Sequence, residues 1–116
     1  MAVKVSPHEA QADVVANASV RRYVRRDGPT GIGVGVTTFA PLAPGVDPRT
    51  IWEAHDVPEI HYVLEGRGTL FEEGEAIELE AGDVIITPPG ARHVLWGESD
   101  AVPLVTFYAA VSRSAG

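Results

Sequence analysis

The sequence predicts an all-β domain, closed into a barrel or a two-sheet sandwich, and three observations carry that expectation. Apolar residues alternate with polar ones in short runs instead of recurring at helical spacing. Turn signals, drawn from twelve glycines and nine prolines, separate the runs about every eight to twelve residues. The 116-residue length suits one compact domain and is too short for two.

The first element is an exception. Ser6, Pro7, His8 and Glu9 have the form of a capping box with proline at the first helical position. They predict a short helix from Pro7 to about Ala16. Arg21, Arg22, Arg25 and Arg26 then place four of the nine basic residues within six positions. Two readings stay open for them. One is a solvated edge strand kept from aggregating by charge; the other is an anion site, since guanidinium forks match carboxylates and phosphates. Residues 31–39, GIGVGVTTF, set Ile32, Val34, Val36 and Thr38 on one strand face and Gly31, Gly33 and Gly35 on the other. No helix pattern follows these glycines, so a phosphate-cradling loop lacks its required context. Glycines on one strand face leave room for a neighbouring element or a ligand.

Beyond Thr50 the runs shorten. IHYVLEG and GTLFEEG read as strands flanking a Gly-Arg-Gly hairpin. GEAIELEAGD sets Ile77 and Leu79 against acids, and DVIITPPG, ARHVLWG and PLVTFYAAV complete the set. The acids of FEEGEAIELE suit a solvated strand face, not a carboxylate pair for glycoside chemistry. The final SRSAG is expected to fray.

Charge and composition narrow the function classes. A formal net charge of −7 argues against nucleic acid and anionic membrane as partners. With no cysteine, disulfides and thiolate metal sites are excluded. No apolar run approaches the roughly 18 residues of a membrane span, and the N-terminus lacks the apolar core of a secretory signal. A cytoplasmic protein is expected.

The candidate chemistry lies between His55 and His93. If residues 59–66 are extended, Glu59, His61 and Val63 share one face, and Ile60, Tyr62 and Leu64 the other. His55 precedes Glu59 by four residues across a proline bend, and His93 opens a strand directly after PPGAR. Imidazole nitrogens with a carboxylate are the usual ligands for Zn, Fe(II), Mn or Ni where no thiolate is offered. Buried polar groups of this kind need partners, and a shared cation would satisfy them together. His8 reads as a surface residue. Tyr62 and Trp96 suit core, subunit interface or substrate contact. Tyr108 points into the barrel if its register matches Thr106.

These spacings resemble the cupin superfamily of small β-barrels. His55, three residues, Glu59, six residues and Gly66 fit the second half of its first motif; Gly82, Pro88 and His93 fit its second. Fifteen residues between Gly66 and Gly82 match the linker of bacterial single-domain cupins. Three positions depart from the pattern: Glu53 replaces a histidine, Asp47 a glycine and Gly97 an asparagine. The resemblance implies a single cupin domain over residues 1–116, a jelly-roll barrel with its core at about 20–112 and its motifs within 50–97. It implies a homodimer and one divalent metal ion held by His55, Glu59 and His93. Motif register favours Glu53 for the fourth place and donor chemistry favours His61; the softer neutral nitrogen tips the expectation to His61. Glu53 and Tyr108 then become candidate acid–base groups, with Arg22, Tyr62 and Trp96 as candidate substrate contacts. The function implied is metal-dependent Lewis-acid or oxygen chemistry on a small polar metabolite, in natural-product or amino-acid-derived metabolism. The alternatives are a non-catalytic ligand- or metal-binding cupin and a metal-free isomerase or dehydratase.

Overall fold

A computed structural model describes residues 2–111; the SRSAG terminus lies outside them. Among the described residues eight strands carry the fold: β1 (Gln11–Val15), β2 (Ala18–Val24), β3 (Ile32–Phe39), β4 (Glu59–Glu72), β5 (Glu75–Glu80), β6 (Val84–Thr87), β7 (His93–Gly97) and β8 (Leu104–Val111). All pair antiparallel. One sheet runs β1-β2-β3-β8-β4-β6 and the other gathers β5 and β7 about the far half of β4. β4 therefore belongs to both sheets, and its bend closes them over a shared core.

Gly66 sits at that bend with φ +82, and its α-carbon faces the Pro103 carbonyl so closely that no side chain fits. Gly-Arg-Gly is consequently not a hairpin. The strand turns a corner there and continues; the reversal comes at Glu73 and Gly74, both with positive φ, as a two-residue hairpin turn requires.

Alternation places the core. Val63, Leu104 and Thr106 are fully buried, with Phe39, Leu70, Leu79, Ile85 and Leu95 around them. Each large apolar side chain removed from water contributes about 1.5–3 kcal/mol. On β3 the inward face is the glycine face, Gly33, Gly35, Thr37 and Phe39, while the valines look outward.

The N-terminal segment departs from expectation. Its helix is a single 3-10 turn, Pro7–Glu9, with the Glu9 carboxylate accepting from the Ser6 N–H at 3.1 Å. The cap forms, but residues 10–16 offer no apolar stripe to bury. They gain a full ladder against β2 instead, through a two-residue turn at Ala16 and Asn17. The arginine-bearing β2 is therefore an interior strand, and the all-exposed β1 is the edge. Asn17 then ties this hairpin to the barrel, its amide donating to the Ala40 and Leu95 carbonyls at 2.8 and 3.1 Å. No helix among the described residues is long and apolar enough to cross a membrane.

Candidate metal centre

The barrel encloses a cavity of about 480 Å³. Glu53, His55, Glu59, His61 and His93 line one end of it, and arginines from the β2 region line another part of the wall.

Backbone pairing positions the donors. Glu53 and His93 exchange both main-chain hydrogen bonds, each 2.9 Å, as an isolated antiparallel bridge. The His55 carbonyl accepts from the Gly90 N–H at 2.7 Å, which ties the His55 loop to the turn ahead of His93. His93 is buried, and its Nδ1–H donates to the Ala91 carbonyl at 3.1 Å. That bond fixes the tautomer and leaves Nε2 as a lone-pair donor. One ligand atom from each of Glu53, His55 and His93 lies within 4.8 Å of the others. Glu59 stands beside them, one carboxylate oxygen 3.7 Å from His55 Nε2.

His61 is engaged differently. Its Nε2–H donates to the other Glu59 oxygen at 2.5 Å, and its Nδ1 meets the Thr106 hydroxyl at 2.8 Å. Both nitrogens are thus occupied, in a site only 3% exposed. His61 faces the cavity as the group that orients Glu59. Burial alone would push the Glu59 carboxyl up, but the His61 hydrogen bond and the fields of His61, His55 and His93 outweigh it and hold Glu59 below the usual carboxylate range. Thr106→Val removes the hydroxyl while keeping the shape, leaving a buried imidazole nitrogen without its partner. The expected loss is about 1–3 kcal/mol in chemical unfolding.

Tyr108 does share the inward face with Thr106, its ring 5.8 Å from that of His61. Burial raises its pKa, with Glu59 adding to the rise and Arg22 and Arg26 opposing it. The phenol therefore remains a protonated donor at neutral pH. Arg22 lines the cavity. Tyr62 does not; it lies on the outer face of β4, nearly half exposed. Trp96 stacks on Phe71 at 6.1 Å, away from the cavity wall, and His8 is exposed on the 3-10 turn.

One structural role was missed in the sequence: Thr106 clamps His61, and the period-two pattern Leu104, Thr106, Tyr108, Ala110 was the available signal. Gly35, on the face expected to leave room for a neighbour, makes room for Tyr108, whose ring would stand 2.7 Å from a Cβ added there.

Two imidazoles and one carboxylate, from Glu53, His55 and His93, converge on the cavity wall with Glu59 beside His55, a donor set that fits a borderline divalent ion. Together with the curled antiparallel sheets, they define the class: a small β-barrel with a cluster of polar side chains on its cavity wall. The sequence matches the cupin domain family over residues 39–109, and the chain belongs to that family. Solved structures agree on the fold. The polyketide cyclase RemF from Streptomyces resistomycificus superposes with TM-score 0.75 at 19% identity, over 100% of this chain and 83% of that one. A predicted oxalate decarboxylase from Thermotoga maritima gives 0.73 at 16% identity, over 96% and 100%. A cupin-like protein from Thermotoga maritima gives 0.66 at 27% identity, over 84% and 70%. No protein of curated function matches in sequence.

Proposed function

We propose that this cupin performs metal-dependent chemistry on a small molecule bound in its lumen. The observation that carries the reading is the convergence of Glu53, His55 and His93 on one point of the cavity wall. Glu59, oriented by His61, is the fourth donor in this assignment, so Glu53 and not His61 completes the set. Zn, Fe(II), Mn and Ni all suit two nitrogens with two carboxylate oxygens. Such an ion supplies Lewis acidity, or oxygen chemistry if it is iron. The chain's own residues supply the rest. His61 and Thr106 hold the carboxylate in place, and Tyr108 offers a phenol proton to a bound molecule. The polyketide cyclase among the structural neighbours is compatible with a role in natural-product metabolism. Isothermal titration of the metal-free protein with each ion tests the reading. One ion per chain is expected for at least one of them, and no uptake of any would refute it.

The outer face of the larger sheet supports the partner reading, a second copy of this chain. Val84 and Ile86 on β6, Ile60 and Tyr62 on β4 and Phe107 on β8 are neighbours in register and all exposed. Contiguous exposed apolar side chains of this kind mark interaction surfaces. None of these five side chains is charged, and the acid of this face, Glu65, lies beyond them opposite Val105. A second copy of an acidic chain can therefore cover the patch without bringing like charges together at its centre. Phe107→Glu is expected to convert a dimer to a monomer in sedimentation, and a monomeric parent protein would contradict the reading.

A further inference from the structure

Three arginines line the cavity, and two of them are already neutralised. Arg22 donates to Asp13 at 3.0 Å. Arg25 donates twice to Asp27, at 3.0 and 3.2 Å, and once to Gln11 at 2.8 Å. Arg26 makes no ion pair or side-chain hydrogen bond among the described residues. An unpaired guanidinium on the wall of a concave site is a binding group for an oxyanion, which its planar fork matches.

The sheet register fixes what lies between this charge and the metal centre. One cross-strand row on the inner face reads His61, Tyr108, Gly35, Arg22. The next reads Glu59, Ala110, Gly33, and it ends on the chain at Arg26, whose Cβ would lie 3.0 Å from one added to Gly33. Three inter-strand steps of about 4.8 Å put roughly 14 Å of sheet between the Glu59 and Arg26 backbones. Gly33, Gly35 and Ala110 keep that floor clear, and Tyr108 lies across Gly35 as a flat surface beside it. The opposed pulls of Glu59 and of Arg22 and Arg26 on the phenol agree with a position between the two charged ends.

We propose that Arg26, with the remaining N–H groups of Arg22, binds a carboxylate or phosphate at the end of the substrate remote from the metal centre. The substrate class is an elongated small molecule with an anionic head, a flat middle that lies against Tyr108 and a metal-facing tail. This assignment rests on the metal-centre reading only for which end reacts. Asp13 and Asp27 hold the neighbouring arginines by hydrogen bonds, while Arg26, whose field also reaches Asp27, keeps its donors unengaged among the described residues.

The test uses a matched pair, 4-hydroxybenzoate and the neutral 4-hydroxybenzamide, with phenyl phosphate as a phosphate-bearing probe. Each is titrated by NMR into the metal-free protein, following the amide signals of Gly33, Gly35 and Ala110. At least one anion is expected to bind about tenfold or more tighter than the amide. Arg26→Gln should remove the preference, Arg26→Lys should keep part of it, and Arg67→Gln, a surface change outside the cavity, should leave it intact. Absence of any preference in the parent protein, or one that survives Arg26→Gln, overturns the proposal. Failure of the metal reading appears separately, as no uptake of Zn, Fe(II), Mn or Ni in calorimetry while the Arg26-dependent preference persists.

Discussion

His93→Ala is expected to abolish stoichiometric binding of a divalent ion, lowering affinity by more than about 100-fold. Losing an outer-shell partner alone typically costs 10–100-fold, and this change removes a donor. The geometry separates that loss from general unfolding. Glu53 is held opposite position 93 by main-chain bonds, which alanine retains. His55 is held by the Gly90 N–H, also through the backbone. The remaining donors therefore stay in place while the set loses its buried imidazole. A void remains where the ring was, so a stability loss of about 1–3 kcal/mol accompanies the change. Zinc titration at a temperature where the variant is folded, checked by thermal unfolding, measures the two effects independently. Binding unchanged in a folded variant would exclude His93 from the site.

Gly66→Ala is expected to be the most destabilising glycine substitution in the motif region, at more than about 3 kcal/mol. Two penalties add there. The backbone has φ +82, which costs a side-chain-bearing residue roughly 1–2 kcal/mol. An added Cβ would also meet the Pro103 carbonyl oxygen at an impossible 1.7 Å, so β4 and the approach to β8 must separate. Gly82 provides the control. Its φ is +96, but a Cβ there meets nothing within 4 Å, so Gly82→Ala carries only the first penalty. Urea unfolding of the pair is expected to differ by more than about 1 kcal/mol, with Gly66→Ala the weaker protein. Equal losses would mean that close approach at the β4 corner contributes nothing.

The same comparison explains which features a sequence reader recovers. Gly66 and Gly82 stand at fixed spacings because each occupies a backbone conformation that other residues resist, so the spacing is a local property. The strand alternation is local too, which is why β3, β6, β7 and β8 were legible from their residues. The failures lie where distant segments decide. Ser6 to Glu9 form their cap, yet β1 forms after them because β2 offers it a ladder. The glycines at 66 and 68 look like a turn, but β8 and β7 on either side keep the strand going. The placing of His61 and Glu53 was illegible for the same reason. His61 is hydrogen-bonded to Thr106, forty-five residues later, and Glu53, in a loop, is set beside His93 at the start of β7 by an isolated bridge. The place of the arginine cluster depended on β2 being interior, a consequence of the unforeseen β1.

The most direct measurement of the central claim is an anomalous-difference map from crystals grown with zinc. The account predicts one peak per chain inside the lumen, about 2.0–2.2 Å from ring nitrogens of His55 and His93 and from carboxylate oxygens of Glu53 and Glu59. A peak confined to surface acids, or none with these side chains turned apart, would contradict it.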